Sequence, residues 1–155
     1  MDKEEKLHKE IDLVQSVINR MASNSFNIKA WTIAVVGGVL ALAGNIFFPT
    51  DGTVLNNIAA VWINAFLLLV VIMFWYLDAF FLKTEKLYRN LYNWIIKYRP
   101  QTEDYMYDLN TFEREVNGEK TSITAPCVCK VMFSKTLLPF YIIPLLFVLG
   151  LMLYK

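Results

Sequence analysis

The stretch Ile58–Leu82, IAAVWINAFLLLVVIMFWYLDAFFL, holds a single formal charge, Asp78. A helix rises ~1.5 Å per residue and a bilayer core is roughly 30 Å thick, so about 20 apolar residues cross it. This run is long enough. Two further runs, Ile33–Phe48 and Thr136–Tyr154, hold no charge. The whole chain is 56% apolar and only 19% charged, below the roughly 25% charge of a soluble domain. Backbone in lipid must satisfy its own hydrogen bonds, so three such runs are expected to be helices.

Lysine and arginine are distributed unevenly around these runs. Lys3, Lys6, Lys9, Arg20 and Lys29 precede the first, and none lies in Pro49–Asn57. Nine lie between the second and third runs, and Lys155 alone follows. By the positive-inside rule the N-terminus and the middle segment are cytoplasmic, and the C-terminus is periplasmic. Ala41-Leu42-Ala43 resembles a signal-peptide cleavage site, but the polar stretch before that span is too long for an ordinary n-region. The first span is read as a retained anchor.

The division that follows has a cytoplasmic amphipathic helix over 1–27 and spans over 28–48, 58–82 and 136–155. An outer loop occupies 49–57, and a cytoplasmic helix with a small segment occupies 83–135. The expected class is all-α integral membrane, with three transmembrane helices, and homo-oligomeric. Leu7, Ile11, Val14, Ile18 and Met21 recur at helical steps in the first segment. Ala30, Ala34, Gly37, Gly38, Ala41 and Gly44 form a small-residue stripe that suits close helix packing in lipid. The helix of the second span continues with an apolar repeat to Tyr98, and Arg99-Pro100 stops it. Asn117-Gly118, between FEREV and EKTSI, signals a hairpin. Residues 101–134 are too few for a core of their own and must dock elsewhere. Pro144 is expected to kink the third span.

Chemistry is sparse. Cys127 and Cys129 lie too close for an easy disulfide and are too few for a zinc site. They are read as reduced, and His8 as solvated. No phosphate loop, HExxH or GxSxG appears, so neither catalytic residues, metal nor cofactor is expected. Asn64 and Asp78 lie just under four turns apart on one face, with Val71 and Trp75 between them. A polar group at each end of an apolar stripe suits a narrow pore with a dewetting gate. It equally suits a helix–helix seam. A carboxylate at the depth of Asp78 needs a partner, and Lys29 is at matching depth, in the same or a neighbouring subunit. Cations interleave with aromatics further along, at Lys86, Arg89, Trp94, Lys97 and Arg99. With Arg20 these are candidates for an anionic ligand, against the plainer reading of a basic girdle at the lipid surface.

RMASNSFNIKAW (20–31), FWYLDAFFLKTEKLYRNLY (74–92) and SKTLLPFYIIPLL (134–146) together resemble SLATT-type bacterial membrane effectors of anti-phage defence. A minimal member of that family has two spans and a following helix, so the third span is a departure. The resemblance implies an oligomeric, pore-forming ion channel of the inner membrane. A nucleotide or single-stranded oligonucleotide from a partner nucleotidyltransferase would control it, as in CBASS-like or Hailong-like systems. Its action would depolarise the membrane and abort infection. Three spans are too thin to enclose a path, so several subunits are needed, and a homotetramer is expected. The SNSFNIK run would then be a hinge between stem and membrane. The rival reading is a non-conducting membrane scaffold or phage-exclusion protein that acts through a partner.

Overall fold

The computed structural model describes residues 2–44 and 56–153, with side chains from 58 in the second part. The expected outer loop falls largely on residues outside this description. The chain is mostly helical. Helix α1 is Lys3–Leu42 and α2 is Asn56–Tyr98. Strands β1 (Arg114–Val116) and β2 (Glu119–Thr121) follow, then α3 (Val128–Met132) and α4 (Leu138–Leu153).

Helix α1 begins where Asp2 caps it, its carboxylate accepting from Lys3 N at 2.7 Å. Glu4 and Glu5 sit in the first turn, where negative charge complements the helix dipole. The helix runs 40 residues without a break. The expected amphipathic helix and first span are therefore one rod, and no hinge interrupts SNSFNIK. Ser25 and Lys29 in that run bond sideways to Asp78 and along the helix to each other, and the backbone ladder stays intact. Forty residues extend about 60 Å, twice the thickness of a bilayer core. Either long helix thus has an apolar half and a polar half.

The two rods are antiparallel. Glu10 meets Arg99, Ser25 meets Asp78, and Val36 shares a cluster with Leu67. Rising numbers on α1 thus meet falling numbers on α2. Two cores form along the pair. One, at the apolar end, gathers Val36, Leu67, Val71, Trp75, Leu137 and Tyr141 beneath α3 and α4. The other, at the polar end, gathers Val14, Leu91, Trp94, Ile95, Val116 and Ile123 beneath the hairpin. In that hairpin Asn117 (φ 54°) and Gly118 (φ 84°) make the two-residue turn. Both angles are left-handed, which asparagine and glycine tolerate best.

Helices α1 and α2 are long and apolar enough to cross a membrane. Only 17% and 28% of their most apolar windows are buried within the chain. The core helix of a soluble protein would be mostly covered. Trp31, Trp62, Phe66 and Leu69 are each more than half exposed, an outward apolar surface of the kind that meets lipid or another protein. Helix α4 has 16 residues, or ~24 Å of rise. Two helices of spanning length are thus described, and α4, with Pro144 within it, is a shorter apolar helix.

The stem core should carry stability that the outward surface does not. Leu91, fully buried, should cost about 2–5 kcal/mol when replaced by alanine. Leu69→Ala, on the exposed face, should stay within about 0.5 kcal/mol. Thermal unfolding of the detergent-solubilised variants, followed by circular dichroism, measures both.

Candidate functional site

Asp78 is fully buried, and three side chains from two other helices converge on it. Lys29 Nζ lies 2.6 Å from Asp78 Oδ2. The Tyr141 hydroxyl donates to the same oxygen at 3.0 Å. Ser25 Oγ donates to Oδ1 in a very close contact. Ser25 and Lys29 are one turn apart on α1, so both face the same spot. Lys29 Nζ also donates to Ser25 Oγ at 2.9 Å. The hydroxyl therefore accepts from the ammonium and donates to the carboxylate. One carboxylate ties α1, α2 and α4 together, all within a single chain.

The other candidate pore residues occupy this seam. Asn64 and Trp75 are nearly fully buried and Val71 completely so. Trp75 stacks on Tyr141 with ring centres 5.9 Å apart and meets Phe133 edge-on. Its indole N–H donates to Met132 O at 3.0 Å. In a single chain the face from Asn64 to Asp78 is filled by the protein's own side chains and lines no open path. The physical reason is that an indole N–H and a carboxylate at this depth require partners, and α3 and α4 bring them. Asn64 Oδ1 has no hydrogen-bond partner among the described residues.

At the polar end a second buried ion pair closes the stem. Glu10 is 1% exposed and Arg99 2%. Arg99 Nε donates to Glu10 Oε2 at 2.7 Å, and Nη2 makes a very close contact with Oε1. Its Nη1 donates to the Asp104 carbonyl at 2.8 Å. The Tyr107 N–H donates to Glu10 Oε1 at 3.2 Å. Arg99 thus staples the start of α1 to the loop after α2. Tyr105 and Tyr107 hold left-handed φ values of 60° and 61°, which non-glycine residues adopt at a cost. The Arg99–Glu10 contacts offset that cost. Arg114, also buried, lays its guanidinium 4.5 Å from the Trp94 ring centre and donates to Asp108 O and Asn110 O.

This changes the candidate ligand set. Arg99 and Trp94 are buried and serve the fold, so neither is open to an anion as first read. Arg20, Arg89 and Lys97 are exposed, and Lys86 is half-buried. Arg89 Nε pairs with Glu85 at 2.7 Å while its side chain stays 61% exposed. Lys97 Nζ sits 4.8 Å from the Tyr98 ring centre. The Tyr98 phenol is held below its ordinary pKa, first by hydrogen bonding to Lys97 and then to Thr121. Among the described residues no three His, Cys, Asp or Glu side chains gather as metal ligands. Cys127 and Cys129 are free and exposed.

Glu10, Arg114, Ser25 and Tyr141 were not singled out by sequence. Glu10 had a signal: it falls three residues after Leu7 and four before Val14, on the apolar face of α1.

The two ion pairs differ in burial, and single deletions should show it. Lys29 is 28% exposed and Asp78 not at all. Lys29→Met leaves a buried carboxylate, whereas Asp78→Leu leaves an ammonium that reaches solvent. Lys29→Met should therefore cost more, about 3–5 kcal/mol, and the double variant should recover part of that loss in thermal unfolding.

No protein-family model, curated protein or solved structure matches this chain, so its chemistry rests on the geometry above.

Proposed function

We infer that the chain is one subunit of a pore-forming membrane effector of bacterial anti-phage defence, gated from the cytoplasm by a nucleotide or oligonucleotide. The observation that carries this reading is the outward small-residue stripe of α1. Ala30, Ala34, Gly37, Gly38 and Ala41 are exposed, and a Cβ built on Gly37 or Gly38 meets nothing within 4 Å. Gly37 borders an open apolar hollow shared with Phe140, Ile143 and Phe147 of α4, and no described atom of the chain fills the space over Gly37 or Gly38. In lipid such a stripe favours close approach of another helix, and a second copy supplies one. A ring of copies is the simplest closed arrangement, and a tetramer is the working number.

In this reading residues 136–155 complete a third crossing of the inner membrane. The N-terminus lies in the cytoplasm and the C-terminus in the periplasm. The path runs between subunits, bounded by outward apolar faces that hold a closed pore dry. The signal acts at the cytoplasmic stem, and the unbroken α1 and α2 carry the change to membrane depth. A signal shifts the pore only through different affinities for its two states. A non-conducting scaffold is the second reading. One observation favours it: the Asn64–Asp78 face, the most polar at membrane depth, is closed within the chain.

Ion flux through the purified protein in liposomes decides between them. Flux is expected, and it should change when cytosolic nucleotides are added. Gly37→Leu should lower it at least tenfold while helix content holds. A folded, inserted protein that passes no ions under any nucleotide condition sinks the channel reading in favour of the scaffold.

A further inference from the structure

Between α1 and α4 lies an apolar hollow of about 430 Å³, walled by Thr32, Ile33 and Gly37 on one side and Phe140, Ile143 and Phe147 on the other. It opens outward: Ile33 is 64% exposed and Ile143 69%. Helix α4 is seated on α2 through the Tyr141–Trp75 stack, and the gap remains on the α1 side. The hollow follows the side of α1 that carries Lys29, Ile33 and Gly37 at steps of four. The stripe of Ala30, Ala34, Gly38 and Ala41 runs along the neighbouring side, so a second copy can pack there and leave the hollow open.

Both walls turn polar at the same end. Lys29 is one turn before Ile33, and Thr136 is one turn before Phe140. Lys29 keeps 28% exposure beside Asp78. Lys135 is exposed and has no ion pair among the described residues. The backbone N–H groups of Lys135 and Thr136, at the start of α4, have no acceptor among those residues either. A helix start gathers such donors and favours negative charge. Yet the surface at this height offers no acid. None occurs in residues 13–42 or 120–155. The two on α2, Asp78 and Glu85, are buried and paired with Lys29 and Arg89. The hairpin and its acids pack beside Leu91 and Trp94, about 20 Å further along α2.

An apolar slot that ends in cations and free N–H donors matches a ligand with an apolar tail and an anionic head. We propose that the hollow binds an anionic glycerophospholipid, with one acyl chain between α1 and α4 and its phosphate at Lys29, Lys135 and the start of α4. A zwitterionic lipid brings a second, positive group, and no exposed carboxylate stands at that height to receive it. A second copy of the chain fits worse for the converse reason: at matching height it has no exposed acid to offer the cations. The depth agrees. The polar end lies at the level of Asp78, where the uncharged run of α2 gives way to Lys83 and Lys86 within about 12 Å. This needs the apolar halves of the helices to lie in a bilayer and nothing of the channel. The bound chain would wedge α4 against α1 directly above the Asp78 junction.

The test is native mass spectrometry of the full chain, from detergent micelles doped with phosphatidylglycerol or with phosphatidylcholine of the same acyl chains. One phosphatidylglycerol per chain should be retained, at least about fivefold more tightly than phosphatidylcholine, because one cation near anionic lipid is worth about that factor. Lys135→Gln should weaken phosphatidylglycerol about fivefold and leave phosphatidylcholine unchanged. Lys130→Gln, which removes an exposed cation on α3, should change neither. Ile143→Trp, which fills the hollow from an exposed position, should weaken both lipids severalfold. Circular dichroism checks that each variant keeps its helices. Glycerol 3-phosphate, the same anion without chains, should not compete at millimolar concentration. Equal retention of the two lipids, full retention by Ile143→Trp, or displacement by glycerol 3-phosphate overturns the site. Equal losses in Lys135→Gln and Lys130→Gln also overturn it, in favour of a diffuse basic girdle. A phosphatidylglycerol preference in a protein that passes no ions keeps the site and removes the channel. Ion flux without that preference does the reverse.

Discussion

One carboxylate organises this protein. Asp78 lies within an apolar helix, and a lone charge there is untenable. Its partners come from α1 (Ser25 and Lys29) and α4 (Tyr141). Satisfying Asp78 therefore sets the register of α1 against α2 and seats α4 on both. The Trp75–Tyr141 stack and the Trp75 bond to Met132 follow from that seating. The same demand explains why polar residues lead straight into an apolar helix at SNSFNIK. Ser25 and Lys29 line a three-helix junction from within, and the helix carries them without a break.

Much of this was legible in the residues. Long uncharged runs mark the apolar helix halves, because lipid tolerates little else. Asn117-Gly118 marks its turn, because few other pairs accept two left-handed angles. Arg99-Pro100 marks the end of α2 at Tyr98. The need of Asp78 for a cation could be read from depth alone. What sequence could not show was which side of a helix faces inward. The stripe from Asn64 through Val71 and Trp75 fits a pore wall and a packed seam equally well by spacing, and the seam is what a single chain forms. Arg99 and Trp94 misled for a related reason. A cation beside aromatics reads the same whether it waits for a phosphate or is stacked under a loop, and only Glu10, far away in sequence, tells the two apart.

Two ion pairs mark the helical pair at different heights. Lys29 and the buried Asp78 meet near mid-length, and the buried Glu10–Arg99 pair closes the polar end. Buried pairs add little net stability, yet losing one member is expensive. They act as register marks that penalise sliding of α1 along α2. The remaining surface is left to others, with small and apolar residues facing outward beyond the Lys29–Asp78 pair and amides, tyrosines and cations between the two pairs.

The unbroken length of α1 has a mechanical consequence. Ser25, fixed to Asp78, divides the rod into arms of about 33 Å toward Lys3 and about 26 Å toward Leu42. With that junction as fulcrum, a tilt of about 5° moves the Lys3 tip by ~3 Å and the Leu42 tip by ~2 Å in the opposite sense. A few ångströms is the scale on which helices shift at subunit interfaces during switching. A stiff lever needs no relay of side-chain changes to pass such a motion from one end of the molecule to the other.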